Sequence, residues 1–291
     1  MTNGQLISRR HFLASGTALA AAAITARSQA AEGVTPIDSQ GLDFPLIDFH
    51  VHLDKSTIEQ VAELGRQRGV KFGIVEHAGT RENVYPKVLT NDAEMKDYLT
   101  MLEGHGVYKG IQAEWTDWMS CFSREVLAQL DFVLTDAMTM PGVNGQRQKL
   151  WEPGYDFANK EKFMDHYVDW HVKTMAKEPI DILANVTWLP PVLLPDYDVL
   201  WTESRMAKVI EAAVKHGVAI EISSSYKLPK LPFLKLAKAA GAKFTLGSNG
   251  RYPKMGLLDH SVAMAKELGL KKPDMFLPAP DGQKAVQRRK W

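Results

Sequence analysis

The segment Asp48-Phe49-His50-Val51-His52 concentrates more metal-ligating side chains than any stretch of similar length. Alternation along a strand sends residues two apart to one side, so the imidazoles of His50 and His52 can reach one ion at about 2.0–2.1 Å. Glu76-His77 and Glu114 each follow an apolar run. A carboxylate at such a place can join a metal shell or bridge two ions. Asp136 can complete that shell or act as a general base, and His77 can also handle protons. Arg251 stays protonated and offers five donors, which suits an anionic substrate group. Asn185, Asn249 and Trp188 are the remaining candidates for substrate binding. His105, His166, His171, His216 and His260 fall on helical patterns and read as structural.

These residues must be brought together by an alternation of strand and helix. Strand patterns cover 44–50, 70–75, 107–113, 131–134, 180–184, 218–222 and 243–246, and helical patterns follow at 56–68, 92–103, 127–130, 157–175, 204–215, 231–240 and 257–268. About seven strands, each followed by a helix, imply a parallel sheet, and one TIM-like barrel over residues 31–291 is the simplest closure. Gly69, Gly106, Gly217 and Gly241 sit where helices should stop. Barrel chemistry sits at the C-terminal strand ends. Those ends carry Asp48, His50 and His52, then Glu76 and His77, Glu114, Asp136, Asn185, Glu221, and finally Asn249 with Arg251. Trp115, Trp118, Trp151, Trp188 and Tyr226 follow strand ends too, where they either stack on a ligand or seal the barrel top. Residues 138–155 are long enough to form a lid.

Composition narrows the function classes. With 35 Lys+Arg against 34 Asp+Glu, the net charge of +1 leaves no concentrated basic excess for nucleic acid. A 45% hydrophobic share fits a globular protein and not a multi-span membrane protein. The one cysteine, Cys121, rules out an intrachain disulfide and a thiolate cluster. Ser8-Arg9-Arg10-His11-Phe12-Leu13 leads into an Ala-rich apolar run and then Ser28-Gln29-Ala30. This pattern predicts a twin-arginine signal peptide over residues 1–30, the export machinery as a partner, and a periplasmic or secreted mature chain. The apolar run is too short to span a bilayer, which takes about 20 residues, so no membrane span is expected after processing. Removal of Arg9, Arg10 and Arg27 with no acid takes the net charge to −2.

Four motifs together resemble the PHP (polymerase and histidinol phosphatase) family: 46–52 (Leu-Ile-Asp-Phe-His-Val-His), 73–79 (Gly-Ile-Val-Glu-His-Ala-Gly), 110–114 (Gly-Ile-Gln-Ala-Glu) and 247–251 (Gly-Ser-Asn-Gly-Arg). The resemblance covers most of 44–270 in the right order. It implies a distorted (β/α)7 barrel, up to three divalent ions and phosphoester hydrolysis. His50, His52 and Glu114 would be first-site metal ligands, with His77 in a neighbouring site. The departures bear on the metal count. Where the family usually has His, this chain has Asp136 followed by Met138 after strand four, and Asn185 after strand five. The last motif replaces a carboxylate with Asn249 and an imidazole with Arg251, which cannot coordinate a cation. One ion is therefore expected, Zn or Mn in preference to Mg, given mixed nitrogen and oxygen donors. The expectation is an exported, phosphoesterase-like hydrolase acting on a small molecule. Two alternatives stay open. An amidohydrolase-type barrel cleaving a C–N or lactone bond also opens with His-x-His, and a non-catalytic ligand-binding barrel would account for Asn185, Asn249 and Arg251.

Overall fold

Seven parallel strands close on themselves in the computed structural model, which describes residues 35–142 and 144–291. They are β1 (Ile47–His52), β2 (Lys71–Ala78), β3 (Tyr108–Ala113), β4 (Phe132–Asp136), β5 (Ile182–Ala184), β6 (Ala219–Ser223) and β7 (Phe244–Gly247). Each pairs with its neighbours in chain order, and β1 bonds to both β2 and β7, which leaves the barrel without a free edge. Nine helices lie among the described residues: α1 (Ile58–Arg68), α2 (Asp92–Leu102), α3 (Arg124–Leu127), α4 (Lys160–Lys177), α5 (Tyr197–Leu200), α6 (Glu203–His216), α7 (Leu231–Ala239), α8 (Asp259–Leu268) and α9 (Ala285–Arg288). The chain is thus a TIM-like α/β barrel with the expected seven strands. The predicted leader, residues 1–30, falls outside the described residues. Among the described residues no helix is long and apolar enough to cross a membrane.

Two apolar layers hold the barrel. A small inner cluster includes Ile47, Phe49, Val75, Phe132 and Leu134, and a larger one lies between strands and helices. Gly73 and Gly110 leave room for the Phe132 ring, because a Cβ at either would run into it. Local signals fix the helix ends. Thr57 and Gln60 cap the start of α1 reciprocally, and Gly69 ends it at φ 67°.

One irregularity decides what enters the lumen. Asp48 pairs with Phe72 and Val51 with Ile74, so three steps on β1 oppose two on β2. This extra residue is a β-bulge, which re-aims the side chains beyond it. Ile47 before the bulge and Phe49 within it fill the inner core. His50, also within the bulge, meets Gln112 of β3 and Glu221 of β6 inside the barrel. Asp48 is left on the opposite face, against the loop after β7.

The segment expected to form a lid begins as an antiparallel hairpin, Thr139–Pro141 with Arg147–Lys149. Met140 is fully buried, Leu150 N–H donates to Met138 O at 2.9 Å, and Trp170 Nε1 donates to Thr139 O at 2.8 Å. These contacts make its base a fixed wall.

The turn from α4 into β5 buries two acids. Glu178 accepts from Trp118 Nε1 at 2.8 Å, and Asp181 accepts from Val133 N–H at 2.9 Å. Burial pushes each up to about 7, against the pull of Arg289 on both and of Lys284 on Asp181, with Asp117 adding repulsion at Glu178. The folded chain therefore keeps protons that the unfolded chain releases near pH 4. Their stabilising contribution is complete below that pH and is lost as pH rises through about 7. The melting temperature of metal-stripped protein should fall between pH 5 and pH 8. A Glu178→Gln/Asp181→Asn variant should flatten the fall, and a wild-type melting temperature that climbs across this window would contradict the assignment.

Candidate metal and acid–base site

The rim between β1 and β2 gathers ligand atoms that nothing among the described residues satisfies. Both ring nitrogens of His52, Oδ1 of Asp54 and Oε2 of Glu76 are buried without a hydrogen-bond partner. One ligand atom from each of the three residues lies within 4.8 Å of the others. Glu76 is steadied by Leu53 N–H on its Oε1 at 3.1 Å. Asp54, at a left-handed φ of 47°, accepts from Arg251 Nε on Oδ2 at 3.2 Å. Orphaned buried polar atoms are costly, and a cation among them would remove that cost. One imidazole and two carboxylates suit Zn or Mn. His52, Asp54 and Glu76 are therefore a possible metal-binding triad. Burial first, and then His77 and His50, hold the His52 imidazole well below its usual range, so it stays in the neutral, ligating form. Burial pushes the Glu76 carboxyl up to about 7.

His50 is committed elsewhere. Its Nδ1 lies 2.7 Å from Glu221 Oε1 and its Nε2 lies 3.1 Å from Gln112 Oε1. Burial works to lower its pKa, but the charge and hydrogen bond of Glu221 outweigh that and raise it. Glu221 also accepts from Asn185 N–H at 3.1 Å. Its carboxylate covers Gly247, where any Cβ would collide with it, so this position of β7 must be glycine.

Beside the triad, His77 and Glu114 form a second unit. His77 Nδ1 lies 2.7 Å from Glu114 Oε1, while its Nε2 is buried and unpartnered. The His77 ring stacks between His52, at 4.7 Å, and Tyr85, at 3.5 Å. Tyr85 also donates to Glu114 Oε2 at 3.3 Å. Burial, then the charges of Arg251 and His50, lower His77 to about 3, so its Nε2 carries a free lone pair at neutral pH. Glu114 is pushed up to about 7 by burial. Asp136 is pushed up to about 6 by burial and by Glu114. Its Oδ1 accepts from Met138 N–H at 2.9 Å, and its Oδ2 faces the amides of Gln112 and Asn185 at 3.4 and 3.5 Å.

The structure thus draws the expected residues into one mouth but distributes them differently. His52 stands with Asp54 and Glu76, His50 with Glu221, and Glu114 with His77. Arg251 NH1 is held by Asn249 Oδ1 at 2.6 Å and Asn249 O at 2.8 Å. Trp188 is buried in the outer core, as is Trp118, whereas Trp151 and Tyr226 are exposed. Sequence reasoning missed Asp54, Gln112 and Tyr85. Gln112 lies two positions before Glu114, so the period-two rule could have flagged it, whereas Asp54 lies past the end of β1 where that rule does not apply.

No protein-family model matches this chain, and no curated protein matches it in sequence. Among solved structures it is similar to a phospho-2-dehydro-3-deoxyheptonate aldolase (DAHP synthase) of Thermotoga maritima, at 14% identity over 81% of this chain and 75% of that one, with a TM-score of 0.33. A likeness that distant carries no argument, so the barrel rests on its own strand pairing.

Proposed function

We propose that this chain is a metal-dependent hydrolase, phosphoesterase-like and of the PHP type, with one Zn or Mn held by His52, Asp54 and Glu76. The observation that carries the reading is the set of buried, unpartnered donor atoms on those three residues. His52, Asp54 and Glu76 would hold a divalent ion, which when bound would supply a lowered water pKa and polarisation of the scissile group. The chain's own residues do the rest. Ionised Glu114 accepts from His77 Nδ1–H and so leaves the buried, unpartnered Nε2 as an acceptor. Asp136, poised near neutrality, takes a proton from the attacking water and returns it to the leaving group. Gln112 links His50 to Glu114 and Asp136 and keeps the three in register. Residues 1–30 carry the folded enzyme through twin-arginine export to the periplasm, a reading supported by Ser8-Arg9-Arg10-His11-Phe12-Leu13.

Elemental analysis of the purified full chain tests the metal, with expectation of about one Zn or Mn per chain. A panel of phosphoesters, followed by amides and lactones, tests the reaction. Asp136→Asn should leave metal content unchanged and lower the hydrolytic rate by about 10²–10⁴-fold, the usual contribution of a positioned acid–base group. Full activity in that variant would remove Asp136 from the mechanism. A chain that takes up no metal even with excess ion would instead be a ligand-binding barrel.

A further inference from the structure

A cleft of about 430 Å³ adjoins the triad through Asp54. Asp54 belongs to both: it is a member of the triad and a wall of the cleft. The other walls that matter are Lys55 and Ser56 on the loop after β1, Gln60 in the first turn of α1, and Arg251 and Tyr252 after β7. The volume is in the range that holds a small-molecule group.

Its charge is unbalanced. Lys55 and Arg251 face it against Asp54 alone, and Asp54 already accepts from Arg251. One carboxylate cannot balance two cations, so with Asp54 engaged by Arg251 the Lys55 charge is left for an incoming anion whether or not a metal is bound. Ser56 does not compete for that role, because its hydroxyl donates to Leu53 O at 2.6 Å. Gln60 Oε1 accepts from Thr57 N–H, which leaves its amide N–H₂ free to donate. Another cation near the mouth, Arg147 of the hairpin, is engaged elsewhere: it donates to Asn83 and lies 3.9 Å from Glu114.

We propose that this cleft binds the oxyanion of the substrate, a phosphate or a carboxylate, between Lys55 and Arg251, and that Lys55 sets the preference for anions. That the anion is part of a substrate rests on the hydrolase reading; the binding site does not. Arg251 is held in place by Asn249 and Asp54, whereas Lys55 has no such tie among the described residues and adapts to the ligand.

Calorimetric titration of the full chain tests this, after removal of metal with phenanthroline and dialysis. The probes are inorganic phosphate and, separately, malonate. Wild-type protein should bind at least one of them, and the tighter of the two tells phosphate from carboxylate. Lys55→Gln should weaken binding about tenfold, while Arg147→Gln should change it less than twofold. No binding of either anion by the wild type overturns the proposal, as does unchanged binding by Lys55→Gln or loss confined to Arg147→Gln. Zinc uptake by the same samples separates the two readings. A chain that takes up zinc but no anion loses this inference alone. A chain that binds the anion but no zinc keeps it and loses the hydrolase.

Discussion

Glu76→Gln should strip the chain of the metal proposed for the triad and lower the proposed hydrolysis about a thousandfold, yet make the metal-free protein melt higher at pH 8. The opposite signs come from one carboxylate. Glu76 is fully buried, and burial pushes it up to about 7. At pH 8 the metal-free fold must hold its charge with Oε2 unpartnered. Glutamine keeps the acceptor that Leu53 N–H uses and the volume, and removes the charge. The folded-state pKa is raised, so the stabilising share of this group is present below about pH 4.5 and lost as pH climbs through 7. The variant's advantage should therefore vanish at pH 5. A bound cation reverses the account, because it favours the ionised form. Zinc should raise the wild-type melting temperature and leave Glu76→Gln nearly unmoved. A metal ion supplies several kcal/mol of charge stabilisation in the transition state, and each 1.36 kcal/mol is a factor of ten, hence the thousandfold loss. Elemental analysis and paired melts at the two pH values check this. A variant that still takes up one zinc would place the metal elsewhere in the mouth.

How much of this could be read from residues alone depended on whether a feature was periodic. The seven strands were legible because apolar runs alternate with helical patterns, and Gly69 and Gly217 do end helices in the left-handed conformation. Clustering of polar residues at the strand ends was legible for the same reason. What escaped depends on events that break a period. The bulge in β1 turns Asp48 away from His50 and His52, although all three sit on one side of an ideal strand. The left-handed residue Asp54 carries its carboxylate back toward His52, and nothing in the spacing announces a φ of 47°. Gln112 is a neutral residue in an apolar strand, yet its amide joins His50 to Glu114 and Asp136. Arg251 looked like a free cation because its partners, Asn249 and Asp54, are near neighbours in space and only one is near in sequence. Trp118 and Trp188 follow strand ends, but their indoles pack into the layer against the helices.

Asp48→Ala should cost roughly 3–5 kcal/mol, because hydrogen bonds to a charged group are worth about 1.5–3 kcal/mol each and several donors would be left buried without a partner. In a chain of this size that is a fall in melting temperature of about 10 °C or more. Asp48 sits beside the metal-ligand pattern, but in the structure it acts as a clasp. Its Oδ1 accepts from His50 N–H at 3.1 Å and Ser248 N–H at 2.9 Å, and its Oδ2 accepts from Gly256 N–H at 2.9 Å and from the Ser248 hydroxyl. Burial pushes its carboxyl up to about 6, even though these four donors pull it down, so it is ionised at neutral pH. The clasp joins the bulge of β1 to the loop after β7, the pair of strands that closes the barrel. Alanine would leave the donors buried and unpaired. Asparagine would not rescue them, because its amide N–H₂ must face a donor at Oδ1 or Oδ2. This separates Asp48 from Glu76, where the amide is tolerated. The same loop carries Asn249 and Arg251, so Asp48→Asn should also weaken phosphate binding in the cleft while zinc uptake at low temperature is retained. Thermal melts alongside zinc and phosphate titrations read all three quantities. Loss of zinc with an unchanged melting temperature would make Asp48 a ligand and not a clasp.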